Sequence, residues 1–124
     1  QTLDCEGRHF DKPNDHSAAK KQLLALRGRR HRLVTAVAAA TAGDGVVWSH
    51  CEEAGLTMRP FSDAFAERYL AQAGDAVLSS VGAYQLEGLG AQLFSRVEGD
   101  FFAILGLPLL PLLDFLRHRG ELSS

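Results

Sequence analysis

Cysteine is scarce in this chain, and the two present, Cys5 and Cys51, make neither a metal-binding spacing nor a disulfide framework. That usage suits a reducing cytoplasm. The five histidines contain no His-x-x-x-His or similar pair, which argues against a histidine-based metal site. Charge of one sign is also lacking. A net charge of −2 supplies no broad field for a nucleic-acid polymer or an anionic membrane. Neither a basic n-region nor a signal-peptide h-region is present. The most apolar run, Phe101 to Leu116, is interrupted by Gly106, Pro108, Pro111 and Asp114. It is too short and broken to cross about 30 Å of hydrocarbon as a helix, and a buried C-terminal helix is expected instead.

What is present is a soluble globular balance, 46% apolar and 23% charged residues over 124 positions, expected as a single domain spanning 1–124. The chain is centred on Val81 to Pro108, where glycines at 82, 88, 90, 99 and 106 cut the sequence into pieces too short for one helix. One acidic residue, Glu87, sits inside this stretch between Leu86 and Gly88. A carboxylate in such company either accepts from backbone amides or reads a ligand.

Along the chain, Asp15 or Ser17 is placed as the N-cap of a helix reaching about Arg27, with Ala19, Leu23 and Leu26 on its apolar face and Gly28 beyond its end. The basic cluster Arg27, Arg29, Arg30, His31 and Arg32 reads as a solvated turn at that helix end. Arg32 to Thr41 is apolar on both alternations and is expected as a central strand buried on both faces, with helix as the alternative. Ala42-Gly43-Asp44-Gly45 then turns the chain into a long return strand ending before Pro60. Ser62 caps a second helix over Asp63 to Ala73, and Gly74 stops it. Ala91 to Val97 reads as a further strand, and Pro108 and Pro111 open a last helix with Leu109, Leu112, Leu113 and Leu116 on one face. Helices interleaved with such strands indicate α/β or α+β.

The order GAYQLEGLGAQLF, the acidic turn Glu98-Gly99-Asp100 and GLPLLPLL resembles the C-terminal signature of the Maf family of nucleoside triphosphate pyrophosphatases. Asp11-Lys12-Pro13, LRGRRHRLVTAVA and MRPFSDAFAERYL fall in that family's order, from Gln1 to about Arg117. The resemblance implies an α/β fold with a mixed, elongated sheet flanked by helices, and a cleft between two lobes. It implies hydrolysis of a nucleoside triphosphate to monophosphate and pyrophosphate with Mg²⁺ or Mn²⁺. The family's Ser/Pro/Arg-rich loop and Gly-Ala-Asp strand end are not found here. The chain therefore reads as the C-terminal two-thirds of such a protein, with the catalytic Asp expected just before Gln1 and no turnover expected from these residues alone.

Three residues carry the implied site. Lys12 matches the Lys-Pro motif at the active site and is assigned to phosphate, although the acid beside it, Asp11, could weaken that contact. Gln1 and Glu87 match the positions that set base specificity. Their Gln/Glu combination looks like the subgroup acting on 7-methyl-GTP. An ionised carboxylate only accepts, and guanine offers N1–H and N2–H side by side, while methylation at N7 adds positive charge to the base. Tyr84 is placed either in the core or as a stacking partner. Glu98 and Asp100 are explained by the turn, and Glu52 and Glu53 by an exposed edge or face. The second reading is a noncatalytic Maf-like piece that binds nucleotide or only dimerises. The one protein partner expected is a second copy of the chain, as a homodimer.

Overall fold

The computed structural model of the chain describes residues 1–124 throughout. Two short strands open it, β1 (Thr2–Cys5) and β2 (Arg8–Phe10), paired antiparallel with Leu3 opposite Phe10. Their two-residue turn places Glu6 at φ 54° and Gly7 at φ 84°, the pair of positive angles whose twist matches a tight hairpin. Helix α1 (His16–Leu26) follows, with the Asp15 side chain accepting from the Ala18 amide at 2.7 Å. Its buried residues are Ala19, Leu23 and Leu26, the face that the sequence spacing predicts.

Strands β3 (Arg30–Thr41) and β4 (Gly45–Met58) form a long hairpin, irregular between Ala39 and Ala40. Helix α2 (Asp63–Ala73) is capped by the Ser62 hydroxyl, which accepts from the Phe65 amide at 3.1 Å. Three 3₁₀ turns then carry the chain through the glycine-rich stretch. Strand β5 (Phe94–Glu98) pairs with β4, and two helices close the chain, α3 (Phe101–Leu105) and α4 (Leu109–His118). The sheet order is β2-β1-β3-β4-β5 with every pairing antiparallel. This is the expected α/β class, a sheet flanked by helices with β3 in its centre, although the sheet in these residues is antiparallel throughout where the resemblance implies a mixed one.

A single cluster of 19 buried residues holds the elements together. Leu3, Leu33, Leu56 and Met58 from the sheet meet Leu23 and Leu26 from α1 and Ala66 and Leu70 from α2. Burial of such side chains contributes about 1.5–3 kcal/mol each and is the main favourable term.

Four expectations are corrected. β3 is not buried on both faces: His31, Leu33 and Thr35 are buried, but Ala36, Ala38 and Ala40 are exposed. Ala36, Ala38 and Ala40 share their face with the exposed Arg30 and Arg32, so one face of β3 meets solvent from end to end. The C-terminal helix is not buried either, since no residue of α4 is. Gly106 at φ 122° and Pro108 split the apolar run, and α4 lies on the far end of the hairpin, with Phe115 stacked on Trp48 at 4.8 Å. The strand expected from Ala91 begins at Phe94. Residues Leu89–Leu93 form a 3₁₀ turn that the backbone of Gly88 starts by accepting from Ala91. Finally, His31 does not belong to a solvated basic turn. It points into the core, while Arg27, Arg29 and Arg32 pair with Asp63, Glu6, and both Asp4 and Glu53.

Candidate functional site

β1 sits beside β3 with Thr2 opposite Val34, so Gln1 enters the fold beside Thr35. Its side-chain amide nitrogen lies 2.9 Å from Thr35 Oγ1 and 3.0 Å from the carbonyl oxygens of Ala103 and Ile104 at the end of α3. Lys12 stands on the connection from β2 to α1, exposed, with its neighbour Pro13 buried. Proline restricts the residue before it to extended conformations, and the buried ring anchors the point from which the ammonium departs. The Asp11 carbonyl accepts from Gln22 Nε2 at 2.6 Å, which ties this loop to α1.

Three concavities meet at Gln1 and Val81 and form one groove. The largest, about 520 Å³, is walled by Gln1, His9, Asp11 and Lys12. A second, about 330 Å³, runs from Lys12 past Ser79 and Ser80 to Leu105 and Gly106. The third is a narrow slot of about 40 Å³ bounded by Gln1, Tyr84, Glu87 and Ile104. Lys12 therefore lies at one end of the groove, Glu87 at the other, and Gln1 between them. The structure brings together all three residues expected from the sequence.

The glycines shape the slot. At Gly82, φ is 79°, and a Cβ there would meet Leu3 and Tyr84 at 2.8 and 2.7 Å. At Gly90 a Cβ would collide with the Gln85 backbone, so only glycine lets the two sides of the 85–90 turn close on each other.

Glu87 is exposed, and it takes neither a hydrogen bond nor an ion pair from the protein. The alternative in which backbone amides satisfy it is therefore not what the structure holds. Lys12 likewise has no carboxylate partner, Asp11 included. Burial, with the Glu87 charge second, pushes the Tyr69 phenol up to about 12, and its hydroxyl donates to the Ala83 carbonyl at 3.1 Å. Tyr84 is buried, and its hydroxyl shares a 2.8 Å hydrogen bond with His31 Nε2. Of its two expected places the structure selects the core. Burial raises the Tyr84 phenol, and burial with the Arg30 charge lowers His31 to about 4, so both are neutral at pH 7. His31 Nδ1 is buried without a partner.

The remaining acids have structural work. Asp100 caps α3 by accepting from the Ala103 amide at 2.8 Å, and Glu98 pairs with Arg96. Glu52 and Glu53 pair with His50 and Arg32. No three His, Cys, Asp or Glu side chains converge as a metal site. Asp11 and Glu87, the groove's two carboxylates, are at opposite ends. The residues present do not fit a divalent ion held by the chain itself.

Thr35 and the end of α3 were not expected at the site from the sequence. The signal for Thr35 is nevertheless there: it is the one hydroxyl residue between Leu33 and Ala40 in a run that is otherwise apolar. The α3 carbonyls have no such signal, because their place depends on how the chain returns after β5.

The sequence model of a family described as "Maf-like protein" matches residues 1–119. A nucleoside triphosphate pyrophosphatase of Paramagnetospirillum magneticum is 63% identical over 98% of this chain and 62% of its own length. One from Granulibacter bethesdensis is 55% identical over 99% of this chain and 62% of its own. A 7-methyl-GTP pyrophosphatase of Rhizobium meliloti is 49% identical over 100% of this chain and 62% of its own. The chain thus spans a little under two thirds of the length of these relatives.

Proposed function

The chain belongs to the Maf-like protein family, and on that premise we propose that it forms the nucleotide-binding groove of a nucleoside triphosphate pyrophosphatase. The observation that carries this reading is one groove with an unpaired cation, Lys12, at one end and an unpaired carboxylate, Glu87, at the other. A nucleoside triphosphate has the complementary polarity, an anionic tail and a base edge bearing N–H donors. Lys12 takes the polyphosphate as a point charge. Glu87 accepts from guanine N1–H and N2–H in a bidentate pair, and a 7-methylguanine adds a positive charge that a carboxylate favours over an amide. The products are a nucleoside monophosphate and pyrophosphate. Relatives at 49% and 50% identity carry the name 7-methyl-GTP pyrophosphatase and others at 55% and 63% the general name, so the choice of that base rests on Glu87.

The aspartate expected beside Gln1 on its N-terminal side is proposed as the base that activates water. The divalent ion, Mg²⁺ or Mn²⁺, is assigned to the nucleotide's own polyphosphate, since Mg²⁺ is usually bound through one or two carboxylates plus substrate phosphates. These elements are taken as a single domain, on the strength of their one continuous core. Two free thiols, Cys5 and Cys51, support a cytoplasmic location, and no helix is long and apolar enough to cross a membrane. A second reading, nucleotide binding without turnover, is favoured by the groove's two separated carboxylates, neither placed beside the other.

Lys12→Ala tests the reading. In protein that includes the aspartate proposed before Gln1, the substitution is expected to lower triphosphate turnover at least tenfold, by about 1.5–3 kcal/mol for a lost charge-assisted contact, with Tm nearly unchanged because the side chain is exposed. Equal turnover by mutant and parent removes Lys12 from the site. Tight nucleotide binding without pyrophosphate release selects the second reading.

A further inference from the structure

The hydrogen bonds around Gln1 determine which way its amide faces. Its Nε2 is 2.9 Å from Thr35 Oγ1 and 3.0 Å from the Ala103 and Ile104 carbonyl oxygens. Thr35, itself 1% exposed, spends its single hydroxyl proton on the Ala103 carbonyl at 3.0 Å. Towards Gln1, all three groups can therefore only accept. Turning the amide over would set Oε1 against two carbonyl oxygens with no proton between them and would draw the Thr35 proton away from Ala103. Both carbonyls lie in the last turn of α3, and Ala103 also accepts from the Gly106 amide at 3.0 Å, so neither has a proton to offer Gln1. Nε2 is thereby held inward, and Oε1, which bonds to nothing in the protein, is the atom left for the groove that Gln1 lines.

We propose that Thr35 is a positioning residue that locks Gln1 as a hydrogen-bond acceptor, so that the slot between Gln1 and Glu87 offers acceptors from both walls. This inference rests on the nucleotide-binding reading above and names the base edge that the slot selects. Glu87 takes guanine N1–H and one N2 hydrogen, and the second N2 hydrogen is the donor left for Gln1 Oε1 on the facing wall. Uracil flanks its one N–H with two carbonyl oxygens, which face the acceptor walls unpaired. Thr35 itself never touches the base. Its hydroxyl acts through Gln1, from the buried face of β3.

The test uses protein in which Gln1 is in peptide linkage to a preceding residue, so that its amide cannot cyclise onto a free α-amine. Two arms are measured on the parent, Thr35→Val and Thr35→Ser. The first arm, without nucleotide, follows the Gln1 side-chain ¹⁵NH₂ resonances and their hydrogen exchange. The second compares equilibrium binding of GTP and UTP, which needs no turnover. Thr35→Val is expected to speed exchange of the Gln1 amide protons and to reduce the GTP-over-UTP preference roughly two- to tenfold, the value of one neutral hydrogen bond. Thr35→Ser is expected to restore both. Gln1→Met, at an exposed position, is expected to lose the same preference, and adding Thr35→Val to it is expected to cost nothing more. A Thr35→Val protein with parental Gln1 resonances, or one that keeps the parental preference, overturns the positioning role. So does full additivity of Gln1→Met and Thr35→Val. A parent that binds GTP and UTP alike overturns the guanine reading instead, and the amide resonances then decide the lock on their own.

Discussion

The two ends of the β3–β4 hairpin share one antiparallel ladder and differ in everything that covers it. At the near end, Leu33, Thr35 and Leu56 are at most 2% exposed, beneath α1 and the 3₁₀ turns. At the far end, Val46 is 66% exposed and Val37 and Ala39, on the same face as Leu33 and Thr35, are only half-buried, with α4 laid against the strands. The near end also carries the groove, because Thr35 and the N-terminal residue of β1 meet there. The comparison teaches that pairing alone does not make a rigid site. The packed layer behind the strand holds Thr35, and Thr35 in turn holds Gln1.

Paired truncations break the comparison most directly. Leu33→Ala removes a side chain from the core and is expected to cost about 2–5 kcal/mol, measured by urea denaturation. Proton linkage sharpens it. His31 is held at about 4 in the folded state against an ordinary value of 6.5. The unfolded chain therefore binds a proton that the folded one refuses. Stability is expected to fall as pH drops through 6.5 towards 4, by on the order of 3 kcal/mol, and to be flat with respect to this group above about pH 7.5. Denaturation at pH 7.5 and 4.5, for the parent and for His31→Leu, checks the sign: the variant is expected to lose the part of the pH slope between 6.5 and 4.5. The far end supplies the smallest effect. Val37→Ala, at a half-buried position, is expected to cost about 1 kcal/mol or less. Equal losses at Leu33 and Val37 would mean that the far end is as tightly packed as the near one.

Much of this was legible in the sequence because local chemistry dictated it. Asp15 and Ser62 cap the helices expected of them, and Gly28 and Gly74 follow those helices with φ 71° and 62°. Lys12, Gln1 and Glu87, proposed through a resemblance that spans the chain, line adjoining parts of one groove. The misreadings are where tertiary context decides. Val37 and Ala39 share a face with the buried Leu33 and Thr35 yet are only half-buried, because the layer that includes α3 covers one end of that face and not the other. His31 lies among arginines in sequence and yet points into the core, because strand periodicity sends alternate residues to opposite faces. The Gln1–Thr35–α3 network joins residues up to 103 positions apart, and no local spacing marks it.

The most direct measurement is steady-state kcat/KM of the catalytically competent protein on 7-methyl-GTP, GTP and UTP, for the parent and for Glu87→Gln. The amide removes the charge and turns one acceptor into a donor. If Glu87 faces the base, 7-methyl-GTP is expected to lose about ten- to a hundredfold, GTP less, and UTP within about twofold, in line with roughly 1.5–3 kcal/mol for a charge-assisted bond. A uniform loss on all three nucleotides, or a parent with no preference among them, would contradict the account.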